Sequence, residues 1–322
     1  MKKVLVTTFP FCKKDNTPIR LLNEANISFD INPYNRKMST NELRELVSEY
    51  DAIIAGTEII DNSVFERSSR LKFISRVGIG LDGIDLLSAK LKKIKISYTP
   101  DAPSLAVADL TIGLIICSLR SICFANNQLH LKKWDRVFGR RIENLTIGII
   151  GCGRIGKHVL NYLQVFKPKR ILVNDLYVDE TLSNIFNFEW VSKDEIYKNS
   201  DVISLHLPLN NSTRNLINKN ILLSMKNDAV LINTSRGGII NEDDLFDVLN
   251  SGHLSTAAID VFDIEPYVGD LTKIDRCILT SHMGSMTDDC RNRMEIEATA
   301  EVIRFFTGKK LLNEVPDSEY LN

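Results

Sequence analysis

The sequence has no strong excess of either charge, and this excludes several classes of partner. Its 322 residues include 40 lysines and arginines against 41 aspartates and glutamates, so the formal net charge is −1. Nucleic acids and anionic membrane surfaces are bound through basic patches, which this composition does not predict. We therefore expect small molecules and other protein chains as partners, and no nucleic acid.

Long hydrophobic runs are lacking as well. The most apolar window, from Leu110 to Leu119, lies between Asp109 and Arg120 and is too short to cross a bilayer. We therefore expect no membrane partner, and we interpret this window as part of a buried or interface helix.

Paired cysteines are also missing. The six cysteines are scattered along the chain, and no two of them form a C-x-x-C pair. Such pairs are typical of zinc sites and redox motifs, so we expect no metal. No secretory segment precedes the first predicted strand. These features predict reduced thiols and a cytoplasmic location.

A glycine-rich turn is the most informative motif that the chain does contain. The apolar run Leu145–Ile150 ends in glycines, and an amphipathic stretch follows. Gly151, Gly153 and Gly156 have the G-x-G-x-x-G spacing of a strand-to-helix turn that holds a pyrophosphate. Unpaired N–H groups at the start of such a helix stabilise negative charge. The motif predicts a dinucleotide-binding site, with Arg154 as a further phosphate contact.

A carboxylate follows the next predicted strand. Asp175 ends the apolar run 171–175 and lies nineteen residues after Gly156. A carboxylate at this position accepts hydrogen bonds from a ribose 2′-hydroxyl and repels a 2′-phosphate. We therefore predict NAD rather than NADP as the cofactor.

The rest of the chain alternates short apolar runs with helical stretches, which predicts parallel sheets covered by helices. Its length and its 44% hydrophobic residues favour two globular domains. Residues 98–103 contain two prolines three positions apart, and we interpret them as a hinge. We predict an α/β fold with two parts: a smaller flavodoxin-like substrate domain, residues 1–99 and 288–322, and a doubly wound NAD-binding Rossmann domain, residues 100–287.

One predicted helix has no polar face. It runs from Leu105 to about Cys123, and Ser104 before it is a residue type that caps helices. Because a helix that is apolar on nearly all sides is buried, we interpret this one as the contact surface of a homodimer.

Polar residues after the predicted strands are the candidates for a reaction site, because ligands bind at the carboxyl ends of parallel strands. Three of these loops contain Arg236, Glu265 and His282. This set fits carbonyl reduction by hydride, since an imidazole can protonate the oxygen as negative charge builds on it. We assign His282 as the acid, Glu265 as the carboxylate that fixes its tautomer, and Arg236 as the group that binds a substrate carboxylate. We expect Gly237 and Gly238 to let the substrate approach the backbone.

Two further residues leave alternatives open. His206 precedes Pro208 at a strand end, where it either lines the cofactor crevice or has a packing role. Arg76, at the start of a glycine loop, either holds a second anionic group of the substrate or is solvated.

Several ordered stretches form a pattern typical of one enzyme family. They are the glycine turn and residues 77–85 (VGIGLDGID), 106–109 (AVAD), 206–209 (HLPL), 235–238 (SRGG), 260–262 (DVF) with 265–266 (EP), and 282–284 (HMG). Together they resemble the D-isomer-specific 2-hydroxyacid dehydrogenase family, which includes phosphoglycerate, glyoxylate/hydroxypyruvate and D-lactate dehydrogenases. The resemblance covers nearly the whole chain.

The resemblance implies an NAD-dependent enzyme that interconverts a D-2-hydroxy acid and its 2-oxo acid in a cleft between two closing domains. It implies the same roles for Arg236, Glu265 and His282. It further implies that the backbone at Val77 and Gly78 receives the substrate carboxylate. The implied cofactor contacts are Arg154 and Ile155 at the pyrophosphate, Pro208 and Thr213 along the cofactor wall, Thr234 and Asp260 at the nicotinamide end, and Gly284.

The chain departs from the family pattern in two loops. Ser281 precedes the histidine where the family usually has proline, and Gly83 stands where it usually has asparagine. Both departures concern loop rigidity and substrate fit more than the chemistry. Glu265 stands where formate-oxidising relatives usually have glutamine, which favours the hydroxyacid branch.

The substrate stays open at this stage. Within the branch it is 3-phosphoglycerate, glyoxylate/hydroxypyruvate or a longer apolar 2-oxo acid. The alternative from another class is an NAD(H)-sensing protein of the corepressor type.

Overall fold

The structure is a computed structural model that describes residues 2–321. Its strands are β1 (Lys3–Val6), β2 (Ser28–Ile31), β3 (Ala52–Ala55), β4 (Phe73–Arg76), β5 (Lys95–Ser97), β6 (Thr146–Ile150), β7 (Arg170–Asn174), β8 (Glu189–Trp190), β9 (Val202–Leu205), β10 (Val230–Asn233), β11 (Thr256–Ile259) and β12 (Cys277–Leu279). Its α-helices are α1 (Thr17–Glu24), α2 (Thr40–Leu46), α3 (Asn62–Phe65), α4 (Leu86–Leu91), α5 (Ser104–Leu119), α6 (Ile122–His130), α7 (Arg154–Phe166), α8 (Lys193–Asn199), α9 (Lys219–Ser224), α10 (Glu242–Asn250) and α11 (Asp288–Phe306).

The chain divides into two compact units. The first unit is formed by Met1–Pro103 with Ser285–Asn322, and the second by Ser104–Gly284. The first unit has a five-stranded parallel sheet in the order β2-β1-β3-β4-β5, which is the flavodoxin-like order. All four residues of the central strand β3 are buried, as expected for a parallel sheet covered by helices, whereas the edge strand β2 has two exposed residues.

Helix α11 belongs to the first unit, although it lies near the end of the chain. Its Phe305 ring stacks on Phe73 of β4, with ring centroids 4.6 Å apart. The Oγ of Ser75, also in β4, donates a hydrogen bond to the carbonyl oxygen of Ala298 at 2.8 Å. The chain therefore returns to the first sheet after completing the second unit.

The second unit has a seven-stranded parallel sheet in the order β12-β11-β10-β9-β6-β7-β8. From β6 the strands proceed in one direction to β8 and in the other from β9 to β12. The strand order reverses between β6 and β9, and open sheets of this kind bind ligands at the carboxyl ends beside that point. Both sheets are parallel throughout, and the predicted fold class is confirmed.

The predicted helix from Leu105 to Cys123 is wrong as one continuous element. The structure has two helices, α5 and α6, bent by 63° at their break. Ser121 lies in the break with a left-handed φ of 50°. Ser104 is the first residue of α5 instead of its cap, and its buried hydroxyl has no hydrogen-bond partner among the described residues.

Within residues 2–321, no single helix has the length and apolar character needed to cross a membrane. The bent pair formed by α5 and α6 meets that requirement only when both helices are counted together.

Candidate active site

The three predicted reactive residues follow three neighbouring strands of the second sheet. Arg236 follows β10, Glu265 follows β11 and His282 follows β12, and these strands are adjacent in the order β12-β11-β10. Because parallel strands end at the same edge of a sheet, the topology brings the three loops to one edge of the second unit.

His282 and Glu265 form the central contact of this edge. Nδ1 of the imidazole lies 2.9 Å from Oε2 of Glu265 and 3.1 Å from Oε1. Both side chains are partly exposed, at 38% for the histidine and 24% for the glutamate. Since the carboxylate lies against Nδ1, the ring nitrogen that remains for proton exchange with a substrate is Nε2.

The loop that contains Glu265 is held by side-chain hydrogen bonds to its backbone amides and by one pair of stacked rings. Oε1 of Glu265 also accepts a hydrogen bond from Phe262 N at 3.1 Å. The Phe262 ring stacks on Tyr267 with centroids 4.1 Å apart. Glu242 of α10 accepts a hydrogen bond from Asp263 N at 2.8 Å, and burial raises the pKa of the Glu242 carboxyl, with the nearby acidic residues adding to the shift.

Arg236 is positioned by a turn that the sequence analysis missed. The Asn233 side chain accepts hydrogen bonds from the Ser235 amide and hydroxyl, at 3.0 and 2.7 Å, and donates one to the Arg236 carbonyl at 2.9 Å. A guanidinium N–H of Arg236 bonds back to the Ser235 carbonyl at 2.6 Å. Asparagine at a strand end is typical of such side-chain turns, and this signal could have been found.

The two glycines after Arg236 permit a close contact between two loops. A Cβ on Gly237 would lie 2.0 Å from the carbonyl carbon and oxygen of Phe262. Glycine at this position therefore permits the Arg236 loop to pack directly on the backbone of the Glu265 loop. A Cβ on Gly238 would meet Asp263 and Arg214 at 2.8 and 3.1 Å. The close approach seen in the structure is between two protein loops, and the approach of substrate to these glycines stays a prediction.

The three glycines of the turn after β6 have different surroundings. Gly151 has a φ of +96°, and a Cβ there would lie 2.3 Å from the His206 carbonyl oxygen. A Cβ on Gly156 would lie 2.0 Å from the Gly151 carbonyl oxygen, so this glycine permits helix and turn to pack closely. A Cβ on Gly153 would meet no described atom within 4 Å. Only the middle glycine leaves space for a ligand to approach.

Helix α7 begins directly at this turn. Its N-terminal cap is Gly153, which has no side chain that could bond to the first N–H groups of the helix. The exposed Arg154 and the partly buried Ile155 are the first two helical residues. The N–H groups of this helix start fit a pyrophosphate, because they are the donors that an anion satisfies at a helix N-terminus.

Asp175 lies directly after β7, opposite the glycine turn. One of its carboxylate oxygens accepts a hydrogen bond from Cys152 N at 2.6 Å, and the other accepts one from Tyr177 N at 3.0 Å. Burial and the Asp175 charge raise the pKa of the Cys152 thiol to about 11, so the thiol stays neutral. The carboxylate thus braces the turn as well as ending the strand where a ribose would lie.

Other predicted cofactor residues bond mostly within the protein. The Thr213 hydroxyl donates to the Pro208 carbonyl at 2.7 Å. The Thr234 hydroxyl is buried 2.8 Å from that of Thr111. Nε2 of His206 lies 2.9 Å from the Ser204 hydroxyl, and burial lowers the pKa of this ring to about 4. His206 is therefore a partly buried, neutral residue, and its choice between lining the cofactor crevice and packing stays open.

Asp260 follows β11, and its buried carboxylate faces the loop that contains His282. It accepts hydrogen bonds from Met283 N and Gly284 N, both at 2.9 Å, and from the Thr280 hydroxyl at 2.5 Å. These bonds use three of the roughly four acceptor positions of a carboxylate. Gly284, expected at the cofactor, is in this structure one of the donors that hold Asp260.

The backbone amides of Val77 and Gly78, which were expected to receive the substrate carboxylate, are not open in this structure. Val77 N donates to the Ala55 carbonyl at 2.9 Å, and Gly78 N donates to the Thr99 hydroxyl at 2.7 Å. Both amides are therefore engaged within the protein. A substrate carboxylate would have to displace Thr99 from Gly78, so the structure does not offer these two N–H groups as open donors.

A small cavity of about 40 Å³ lies next to these residues, at the carboxyl ends of β1, β3 and β4. The strand order of the first sheet reverses between β1 and β3, so this is the expected ligand position of that fold. The polar side chains that line it include Thr7, Thr8, Lys37, Glu58, Arg76 and Arg291.

Glu58 and Arg291 in this cavity were missed by the sequence analysis. Glu58 is buried, and its carboxylate accepts hydrogen bonds from the Gly56 amide and the Thr7 hydroxyl. Arg291 pairs with Glu295 at 2.6 Å and donates to the Thr8 hydroxyl at 2.7 Å. The i,i+4 pair with Glu295 is a local pattern, but the place of Arg291 in this cavity depends on Thr8 and Pro10 at the other end of the chain, which no local pattern indicates. Within residues 2–321, no three His, Cys, Asp or Glu side chains are grouped so that they could hold a metal ion.

Comparison with known proteins identifies the family. The sequence pattern of the D-isomer specific 2-hydroxyacid dehydrogenase NAD binding domain matches residues 112–284. A hydroxypyruvate reductase of Thermotoga maritima is 34% identical over 274 residues, which are 83% of this chain and 88% of that protein. A D-3-phosphoglycerate dehydrogenase of Methanocaldococcus jannaschii is 33% identical over 284 residues, which are 86% of this chain but 54% of that longer protein.

A solved structure agrees with these matches. The crystal structure of a D-lactate dehydrogenase from Aquifex aeolicus, in complex with NAD and lactic acid, has a TM-score of 0.86 to this chain at 25% identity. The match covers 98% of this chain and 99% of that chain. The predicted enzyme class and the predicted cofactor, NAD, are confirmed, whereas nothing in these matches favours the sensing protein. The chain belongs to the D-isomer specific 2-hydroxyacid dehydrogenase family and is an NAD-dependent oxidoreductase of that class.

Proposed function

We propose that the chain interconverts a small 2-oxo acid and its D-2-hydroxy acid, with His282 as the proton donor and acceptor. The observation that carries the proposal is the contact between His282 and Glu265, in a loop that adjoins the one containing Arg236. With Glu265 against Nδ1, Nε2 delivers the proton to the carbonyl oxygen, and the carboxylate stabilises the charged ring. Arg236 binds the substrate carboxylate through its planar fork.

The second unit is proposed as the NAD-binding domain and the first as the substrate domain. The helix start at Arg154 and Ile155 would hold the pyrophosphate, and Asp175 would accept the ribose hydroxyls. The contacts proposed along the rest of the cofactor are those implied by the resemblance, namely Pro208, Thr213, Thr234, Asp260 and Gly284. Bound NADH supplies the hydride for the carbonyl carbon.

The cavity of the first unit is proposed as the place where the substrate's side chain is selected. Three of its lining side chains are cationic and one, Glu58, is a carboxylate, and this excess of positive charge favours a substrate with a second anionic group such as a phosphate. A phosphoglycerate dehydrogenase is among the relatives, and a hydroxypyruvate reductase matches over more of its own length. Phosphohydroxypyruvate and hydroxypyruvate are therefore the first two substrates to compare.

Replacing His282 by alanine tests the proposal. The protein is assayed for NADH oxidation with glyoxylate, hydroxypyruvate, phosphohydroxypyruvate and a longer apolar 2-oxo acid. His282→Ala should lower kcat by about 10²- to 10⁴-fold on the best substrate, because general acid catalysis is lost. NADH affinity, measured by fluorescence titration, should stay nearly unchanged.

His253→Gln is the matched control for this replacement. His253 lies before β11, away from the carboxyl ends of the strands, and its Nε2 contacts the Met225 carbonyl at 3.1 Å. Glutamine can keep that hydrogen bond, so kcat should be unaffected. Preserved turnover in His282→Ala would refute the assignment of the acid, and no turnover of any oxo acid by the parent protein would refute the activity itself.

A homodimer is proposed from the apolar surface of α5 and α6. No residue of α6 is buried in the described chain, which leaves its apolar side chains for a partner. We further propose a cytoplasmic location, which is compatible with six cysteines that are all free.

A further inference from the structure

The loop that contains His282 has an unfavourable backbone conformation. His282 itself has a φ of +51°, in the left-handed region that side chains other than glycine seldom adopt. Its amide donates to the Asp260 carbonyl at 2.8 Å and to the Thr280 carbonyl at 3.1 Å. A conformation of this kind persists only where surrounding contacts determine it.

The carboxylate of Asp260 supplies those contacts. It is 1% exposed and binds the loop on both sides of the histidine, through Thr280 before it and through Met283 and Gly284 after it. The main chain of Thr280 is itself fixed, because its amide donates to the Ile259 carbonyl at 3.0 Å. The hydroxyl of Thr280 is the one side-chain donor among these three bonds, so it can be removed without touching the backbone.

We propose that Thr280 is a positioning residue for the reaction, acting through Asp260 on the imidazole of His282. Its hydroxyl orients the buried carboxylate so that the Met283 and Gly284 amides keep their bonds. Those bonds hold the histidine where Nδ1 meets Glu265. The proposal rests on the proposed role of His282 as the acid.

The residue at position 281, a serine, makes the hydrogen bond between the Thr280 hydroxyl and Asp260 more important. The resemblance described above implies proline at that position, and proline would restrict the backbone by its ring. Serine gives no such restriction, and Ser281 is exposed. In this chain the loop therefore depends on hydrogen bonds to Asp260 for the order that a proline ring would otherwise contribute.

The test compares Thr280→Val with Thr280→Ser. Valine keeps the shape of threonine and removes the hydroxyl, whereas serine keeps the hydroxyl and removes the methyl group. Thr280→Val should lower kcat about tenfold, as expected for the loss of one bond to a charged group. Amide exchange at Met283 and Gly284 should accelerate. Thr280→Ser should stay within about twofold of the parent protein in both measurements.

Thr272→Val is the matched control. The Thr272 hydroxyl also lies between β11 and β12, but it donates to the Gly269 carbonyl at 2.7 Å. Its loss should change neither kcat nor the exchange of the two amides. Thermal unfolding and NADH titration of every variant separate a local effect from misfolding.

Two results would overturn the proposal. One is a Thr280→Val protein whose amide exchange and kcat both match the parent. The other is a Thr280→Ser protein as defective as the valine variant, which would mean that packing of the methyl group matters and the hydroxyl does not. If the parent protein turns over no 2-oxo acid, the proposed function fails, but the exchange measurement still decides whether Thr280 holds the loop.

Discussion

His206 illustrates how burial alone determines the state of a single residue. The ring has an ordinary pKa of 6.5, and burial lowers it to about 4 because removal from water disfavours the charged form. Its Nδ1 has no hydrogen-bond partner among the described residues. This histidine therefore stays neutral in the folded chain at the pH where a free histidine takes up a proton.

The shift predicts a pH dependence of stability. Between about pH 4 and 6.5 the unfolded chain binds more protons than the folded one, so the free energy of unfolding falls as the pH is lowered. The contribution of His206 is at most about 1.4 kcal/mol per pH unit. His206→Gln should reduce the slope of the free energy of unfolding against pH by about this amount, measured by urea unfolding from pH 4.5 to 7. His253→Gln is the control, and equal slopes for His206→Gln and the parent would contradict this account.

Residue identities in the reactive set could be predicted from the sequence, because proton transfer, carboxylate binding and tautomer control each need one side-chain type. Their partners could be predicted only in part. The Glu265 contact follows from chemistry, whereas the Asn233 turn behind Arg236 depends on a local backbone shape. The assignments of all these residues to catalysis stay predictions until the variants are measured.

At the scale of elements, the glycine after Arg236 controls how two strand-end loops pack. A Cβ on Gly237 would overlap the Phe262 carbonyl group and lie 2.5 Å from Asp263 N. Both obstacles are backbone atoms, so no side chain can rotate away. The two loops would have to separate, and Arg236 would move relative to the Glu265 loop.

Gly237→Ala should therefore cost about 1–3 kcal/mol of stability through overpacking and should also raise the KM for the oxo acid. Urea unfolding and steady-state kinetics measure the two effects. Gly308→Ala is the comparison, because a Cβ there meets no described atom within 4 Å although φ is +68°. The Gly308→Ala replacement should lower the free energy of unfolding by only about 1 kcal/mol and leave the KM for the oxo acid unchanged. A Gly237→Ala protein that behaves like Gly308→Ala would show that the loops can adjust.

The helix break and strand β8 are among the features that were not predicted correctly, for physical reasons. The break between α5 and α6 occurs at Ser121, a non-glycine residue in the left-handed region, and hydrophobic spacing gives no signal for it. Strand β8 has only two residues at the sheet edge, too few for a period to be recognised. Long strands and the glycine turn could be predicted because their patterns are local.

At the scale of the whole molecule, exposed aromatic residues favour association. The segment after α6 leaves Trp134 80% exposed and the Phe138 side chain fully exposed, and Leu131 is 64% exposed. Apolar side chains of this size, grouped in one stretch next to α5 and α6, are typical of interaction surfaces.

We expect sedimentation at micromolar concentration to give twice the mass of the 36.4 kDa chain. Trp134→Glu together with Phe138→Glu should shift the protein toward the monomer, because a charge cannot be buried there without a partner. Val165→Glu is the control, since Val165 is equally exposed but lies on α7. A monomer in the parent protein, or an undisturbed dimer in the double variant, would remove α6 and the segment after it from the interface.

The sequence by itself determined the α/β class and the glycine turn, and it predicted an acidic residue for the ribose and the reactive residues Arg236, Glu265 and His282, because each depends on short spacings or on side-chain chemistry. Only the tertiary structure decided what those residues contact. It placed the Phe262 backbone against Gly237, directed the Asp260 carboxylate to the loop of His282, and engaged the amides of Val77 and Gly78 within the first unit. These partners lie far apart in the chain, and hydrogen-bond pairing across such distances is set by the packing of sheets and loops, which no local pattern encodes.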